Sequence, residues 1–195
     1  MPGSVILLNG ASSSGKSTLA RATQARLPVP FWHYSIDHLI RAEVLPQGRI
    51  DSGEFPWSGL RKSFFEGFHR SISAIVEAGN NLLVEHIIET REWMDRLIRL
   101  LSGYDVFTVG LHCPLPELER REAARGNRRI GEARADFQIA HLYCEYDLQL
   151  NGTDDPTALA TRLVTAWSSR CSGGAMALMA ARLNETAAIK TRDIS

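Results

Sequence analysis

The chain has 195 residues, 22 Lys+Arg against 22 Asp+Glu, and 44% hydrophobic residues, which predicts one soluble domain that buries about 70% of its unfolded surface. Zero net charge counts against a dedicated nucleic-acid binder, which needs a basic surface for the phosphate backbone, and no stretch approaches the roughly 20 apolar residues of a membrane span. Cys113, Cys144 and Cys171 lack the spacing of a disulfide framework or a zinc ribbon, so the expectation is a cytoplasmic protein with neither nucleic-acid nor membrane partners.

Short apolar runs alternate with stretches of helical period, the pattern of a parallel sheet with crossover helices. The first run, residues 5–8, leads into Gly10, Ala11, Ser12, Ser13, Ser14, Gly15, Lys16 and Ser17, which match G-x-x-x-x-G-K-[ST]. In that pattern successive backbone N–H groups cradle phosphate oxygens at a helix N-terminus. The lysine neutralises the β- and γ-phosphates and the serine hydroxyl ligates Mg²⁺. The following helix, predicted over residues 16–27, stops at Pro28 because proline cannot continue the hydrogen-bond ladder. Gly10 to Thr18 are therefore expected to bind a nucleoside triphosphate, with Ser17 on the metal.

The second strand is predicted over residues 31–36, followed at once by Asp37. In an open α/β sheet the ligand crevice lies at the carboxyl ends of the strands. A carboxylate there suits two roles, general base toward an acceptor hydroxyl or N-cap of the next helix. Residues 45–59 carry Pro46, Gly48, Gly53, Pro56 and Gly59 and read as a long loop, either covering a substrate or an inert excursion. A stripe of Phe64, Phe65, Phe68, Ile72, Ile75 and Val76 predicts a core helix. The third strand, residues 82–88, contains Glu85 and His86; Glu85 fits either a metal-binding or an ion-pair role. Trp93, Leu97, Leu100 and Leu101 mark the next helix, and residues 106–112 the fourth strand.

Six arginines then fall within fifteen residues: Arg120, Arg121, Arg125, Arg128, Arg129 and Arg134. With Glu117, Glu119, Glu122 and Glu132 among them, such a run fits a solvated helix face. The break at Gly126 and Asn127 equally fits a lid that closes guanidinium groups over a transferring phosphoryl group. His141 and Cys144 lie three apart, and His112 and Cys113 are adjacent, but neither spacing is a zinc pattern. Residues 146–150 predict the fifth strand, and Leu159, Leu163 and Trp167 a further core helix. Residues 1–170 are expected to form the domain, and residues 171–195 a helical or flexible appendage.

The phosphate loop, its spacing to Ser35, Ile36 and Asp37, the run from Arg120 to Arg129, and Tyr146 and Asp147 together resemble the chloramphenicol phosphotransferase-like branch of the P-loop kinases. The resemblance spans most of residues 4–168. It implies an α/β three-layer fold with a five-stranded parallel sheet and an arginine-rich lid. It also implies ATP with Mg²⁺, and γ-phosphoryl transfer to a small-molecule hydroxyl, which in the namesake is an antibiotic's primary alcohol. Asp37 matches the family's general base, and Arg125, Arg128 and Arg129 its lid. Lys16, Asp37 and Arg128 are thus expected to be catalytic, Arg125 and Arg129 to bind nucleotide, and Ser17 and Glu85 to hold metal. Glu85 and His86 stand where the namesake carries aspartates, so the acceptor pocket is where this chain departs. Two rivals keep the same loop: a metabolic kinase of the gluconate or shikimate type, and a nucleotide-dependent switch without transfer activity.

Overall fold

The computed structural model describes residues 1–125, 130–170 and 174–192. Five parallel strands, β1 (Ser4–Asn9), β2 (Phe31–Ser35), β3 (Asn81–His86), β4 (Asp105–His112) and β5 (Leu148–Asn151), form one sheet in the order β2-β3-β1-β4-β5. The described helices are α1 (Lys16–Gln24), α2 (Ile36–Arg41), α3 (Gln47–Asp51), α4 (Trp57–Glu77), α5 (Arg91–Leu101), α6 (Leu115–Arg125), α7 (Glu132–Ile139), α8 (Pro156–Ser168) and α9 (Ala175–Arg192). No helix among the described residues is long and apolar enough to cross a membrane.

Successive strand residues point to opposite faces, and β1 shows what this does. Val5 and Leu7 pack with Phe68, Ile72 and Val76 of α4, Leu97 and Leu101 of α5, and Met176 and Met179 of α9. Ile6 and Leu8 face the other way, onto Leu19 of α1 and Leu159, Leu163 and Trp167 of α8. Both faces are thus covered, which is why all of Val5 to Leu8 are apolar and fully buried.

The segment 45–59, expected as one loop, instead contains α3 and ends in the first turn of α4. Its prolines stand at helix starts: Pro46 and Pro56 sit at the N-cap positions of α3 and α4, where a missing N–H costs no intrahelical hydrogen bond. Strand β5 begins two residues later than expected, at Leu148. Asp147 is held outside it, accepting from the Thr108 N–H at 2.7 Å and from the Ala175 N–H at 2.7 Å. That second bond anchors the start of α9, whose Met176 and Met179 are buried. Met179→Ala is expected to cost about 2 kcal/mol, read as a lower urea midpoint with an unchanged slope.

Candidate active site

The phosphate loop is shaped by contacts that its own residues do not supply. Gly15 has φ 102° and Ser13 φ 64°, left-handed values that direct the loop into the N-terminus of α1. A Cβ on Gly10 would come within 2.5 Å of the Leu111 carbonyl oxygen, so the loop lies directly on the end of β4. From the far side, Arg121 donates to the carbonyl oxygens of Ser14 (3.2 Å) and Gly152 (2.9 Å), while its Nε is held by Glu117 at 2.6 Å. Arg121, expected as one of the lid or surface cluster, is therefore a staple between the loop and the segment after β5. Ala11 turns its methyl into a small core with Cys113, Leu118, Ala133 and Ala140.

Lys16 is buried, and its ammonium donates to the carbonyl oxygens of Gly10 (2.7 Å) and Ala11 (2.8 Å). The Ser12 N–H donates to Asp136 of α7 at 3.0 Å. Ser13 Oγ and Ser14 Oγ are buried with no hydrogen-bond partner among the described residues. An anion-binding loop at a helix N-terminus, with one ammonium and hydroxyls in reserve, fits a polyphosphate.

The carboxylates arrive from the neighbouring strand ends. Leu8 pairs with Glu85 and Glu85 with Ser35, so the sheet register alone brings Glu85 between the phosphate loop and the start of α2. Glu85 Oε2 accepts from the Ser17 hydroxyl at 2.8 Å, and its Oε1 meets the His33 ring. Burial by itself raises the Glu85 carboxyl, but the His33 hydrogen bond, the Lys16 charge and the Ser17 hydroxyl outweigh it, leaving the group below its ordinary range. A hydroxyl and a carboxylate, both hard oxygen donors, fit Mg²⁺.

Ser35, not Asp37, caps α2: its side chain accepts from the His38 N–H at 3.2 Å. The N-cap alternative for Asp37 is therefore corrected. Asp37 lies in the first turn with its side chain 40% exposed, 4.0 Å from Arg41. One cleft gathers Ser12, Ser13, Gly15, Lys16, Ser17, Asp37, Glu85, His86 and Arg125. A second cleft, lined by Ser14, Thr18, Arg121 and residues 152–156, shares Ser13, Gly15 and Arg125 with the first. The two meet across the phosphate loop.

The arginine run divides. Arg120 is paired with Glu117 and Arg134 with Glu119, both arginines exposed, as a solvated face requires. Arg125 ends α6 and lines both clefts. Arg128 and Arg129 lie outside the described residues. Glu122 is buried and accepts from the Gly131 and Ala133 N–H groups at 2.8 Å, holding the start of α7.

The roles of three residues around the site carry no local signal in the sequence. Asn9, immediately before the loop, is fully buried, donates to the Ala140 carbonyl and the Tyr146 hydroxyl, and accepts from the Ile88 N–H. It thereby joins β1, β3 and the end of α7. Arg121 and His33 are the others, and only their three-dimensional partners mark them.

A phosphate loop joining β1 to α1 in a five-stranded parallel sheet of the order β2-β3-β1-β4-β5, with Asp37 two residues past β2, is the fold of the P-loop kinases. Solved structures agree on that fold. Mycobacterium tuberculosis APS kinase CysC in complex with AMPPNP and APS superposes with a TM-score of 0.62 at 19% identity, covering 86% of this chain and 99% of that one. Shikimate kinase from Aquifex aeolicus gives 0.60 at 21% identity, covering 87% and 99%. The profile of the "Chloramphenicol phosphotransferase-like protein" family matches residues 3–168. A Mycobacterium tuberculosis protein named "Putative O-phosphotransferase Rv2636" is 33% identical over 173 residues, covering 79% of this chain and 77% of the relative. The chain belongs to the chloramphenicol phosphotransferase-like family and is an enzyme of the kinase class.

Proposed function

We propose that this chain transfers the γ-phosphoryl group of ATP to a hydroxyl of a small-molecule alcohol in the cytoplasm. A chloramphenicol-like antibiotic is the first acceptor to test, and residues 1–170 are the catalytic domain. The observation that carries the reading is the single cleft in which Lys16, Ser17, Glu85, Asp37 and Arg125 converge. In the reaction the acceptor oxygen forms its bond to the γ-phosphorus as the bond to the β,γ-bridging oxygen breaks, and ADP leaves. Asp37 accepts the acceptor's proton.

Gly10 to Thr18 hold the phosphates, and Lys16 meets the charge that spreads over the transferred group. Arg125, with Arg128 and Arg129 beyond it, serves the same charge from the lid side. The second cleft, between Arg121 and residues 152–156, takes the nucleoside. Ser17 and Glu85 would hold Mg²⁺, which would offset the charge of the phosphates.

Incubation with ATP, Mg²⁺ and a panel of chloramphenicol and sugar acids, followed by mass spectrometry, tests the assignment. The expected result is added phosphoryl mass on the antibiotic, absent when a non-hydrolysable ATP analogue replaces ATP. Phosphate on a sugar acid alone would move the acceptor to the gluconate or shikimate class. Nucleotide binding with no phosphorylated product from any hydroxyl acceptor would overturn the transfer reading in favour of a switch.

A further inference from the structure

His33 lies on β2 two residues before Ser35, and in the parallel register His33 stands opposite Leu83 and Ser35 opposite Glu85. Residues two apart on a strand share a face, so His33 and Glu85 lie on the same side of the sheet on adjacent strands. Both side chains are only 8% exposed, and His33 Nε2 hydrogen-bonds Glu85 Oε1. The His33 ring is held in turn by an edge contact with the His38 ring, 4.4 Å between centroids, while His38 Nδ1 hydrogen-bonds the His33 carbonyl oxygen at 3.0 Å. Glu85 is thus gripped at both oxygens, Oε1 by His33 and Oε2 by the Ser17 hydroxyl at 2.8 Å.

A carboxylate beside a metal is aimed by the group that binds its other oxygen, and removing such an outer partner weakens metal affinity by about 10- to 100-fold. We infer that His33 is a positioning residue that fixes Glu85 toward Ser17 and so sets how strongly Mg²⁺ couples to nucleotide binding. The inference rests on the reading of Ser17 and Glu85 as the Mg²⁺ site. His33 lines neither of the two clefts; without it Oε1 would be buried unpaired and the carboxylate could turn away from Ser17.

The test uses the full chain and a readout apart from turnover. Affinity for AMPPNP is measured by calorimetry with excess Mg²⁺ and with EDTA, and the ratio of the two gives the coupling. In His33→Ala the ratio is expected to fall by about 10- to 100-fold, with affinity in EDTA changed by less than about twofold. His33→Gln, whose amide nitrogen reaches about as far as Nε2, is expected to restore most of the ratio; His33→Asn, one methylene shorter, is not. If the alanine variant does not fold, the Gln and Asn pair carries the same comparison. An unchanged ratio in His33→Ala or His33→Asn would overturn this inference alone, as would equal weakening with and without Mg²⁺. A wild-type protein whose AMPPNP affinity is indifferent to Mg²⁺ would instead overturn the metal reading, and this inference with it.

Discussion

Asp37→Asn is expected to bind ATP as the wild type does and to transfer phosphate about 10² to 10⁴ times more slowly, equivalent to about 3 to 5 kcal/mol of activation free energy. Asparagine keeps the size and polarity of the side chain but cannot take a proton. Because Ser35 performs the capping of α2, the substitution does not remove a cap, and the helix should persist. Nucleotide affinity measured beside single-turnover transfer separates the two effects. Turnover equal to the wild type would remove Asp37 from the mechanism and leave the acceptor hydroxyl to lose its proton to solvent or phosphate.

The second large effect is on acid stability. His69 of α4 and His86 of β3 are buried against Phe65, Phe68 and Trp93, with Nε2 to Nε2 at 2.7 Å. His86 Nδ1 accepts from the Ile87 N–H at 2.8 Å, which assigns its ring proton to Nε2 and makes His69 Nε2 the acceptor. Neither ring has room for a second proton. Burial, with the nearby Arg96 charge, pushes His69 from 6.5 down to about 4, and burial pushes His86 well below its usual range.

A folded-state value below the unfolded one means that the unfolded chain takes up the proton first. Stability is therefore complete above about pH 6.5 and is lost as pH falls toward about 4. His69 alone accounts for about 3 kcal/mol of that loss. His69→Gln, which keeps an acceptor for His86 and cannot titrate, is expected to flatten the decline in urea-derived stability between pH 7 and pH 4 by about that amount. An undiminished decline would mean that His69 carries a proton within the fold.

Much of this architecture was legible from local pattern. Four apolar residues between Ser4 and Asn9, then Gly10 to Ser17, specify strand, loop and helix, because each glycine and the lysine answer a local requirement of phosphate binding. The placement of Asp37 at the cleft is legible in a similar way, by its position just past a strand. Less legible was whatever depends on a partner distant in sequence. Arg121 reads as one arginine among six until it is seen donating to Ser14 and Gly152. His33 reads as an ordinary strand residue until β2 pairs with β3 and brings it to Glu85.

Residues 45–59 differ from the expected loop for another reason. Proline and glycine break a helical pattern in its interior, whereas Pro46 and Pro56 sit where α3 and α4 begin. The tail reads as a helical or flexible appendage, and nothing local shows that Met176 and Met179 find a core between α5 and β4.

The phosphate loop is encoded early and completed late. Its strand, β1, is central in the sheet, and both its neighbours come from far along the chain: Val5 pairs with Leu82 on one side and with Val106 on the other. Gly10 rests on Leu111, Arg121 ties Ser14, and Gly152 lies against the Ser14 carbonyl oxygen. During synthesis, then, an apolar β1 must wait for more than half the chain before it has two neighbours. Such non-local pairing makes folding slow and leaves hydrophobic surface open to aggregation in the interval. Nucleotide cannot bind a loop whose supports have yet to emerge from the ribosome. If ATP is the ligand proposed above, it would stabilise only the nearly finished molecule and give partly folded chains no help in competing with aggregation.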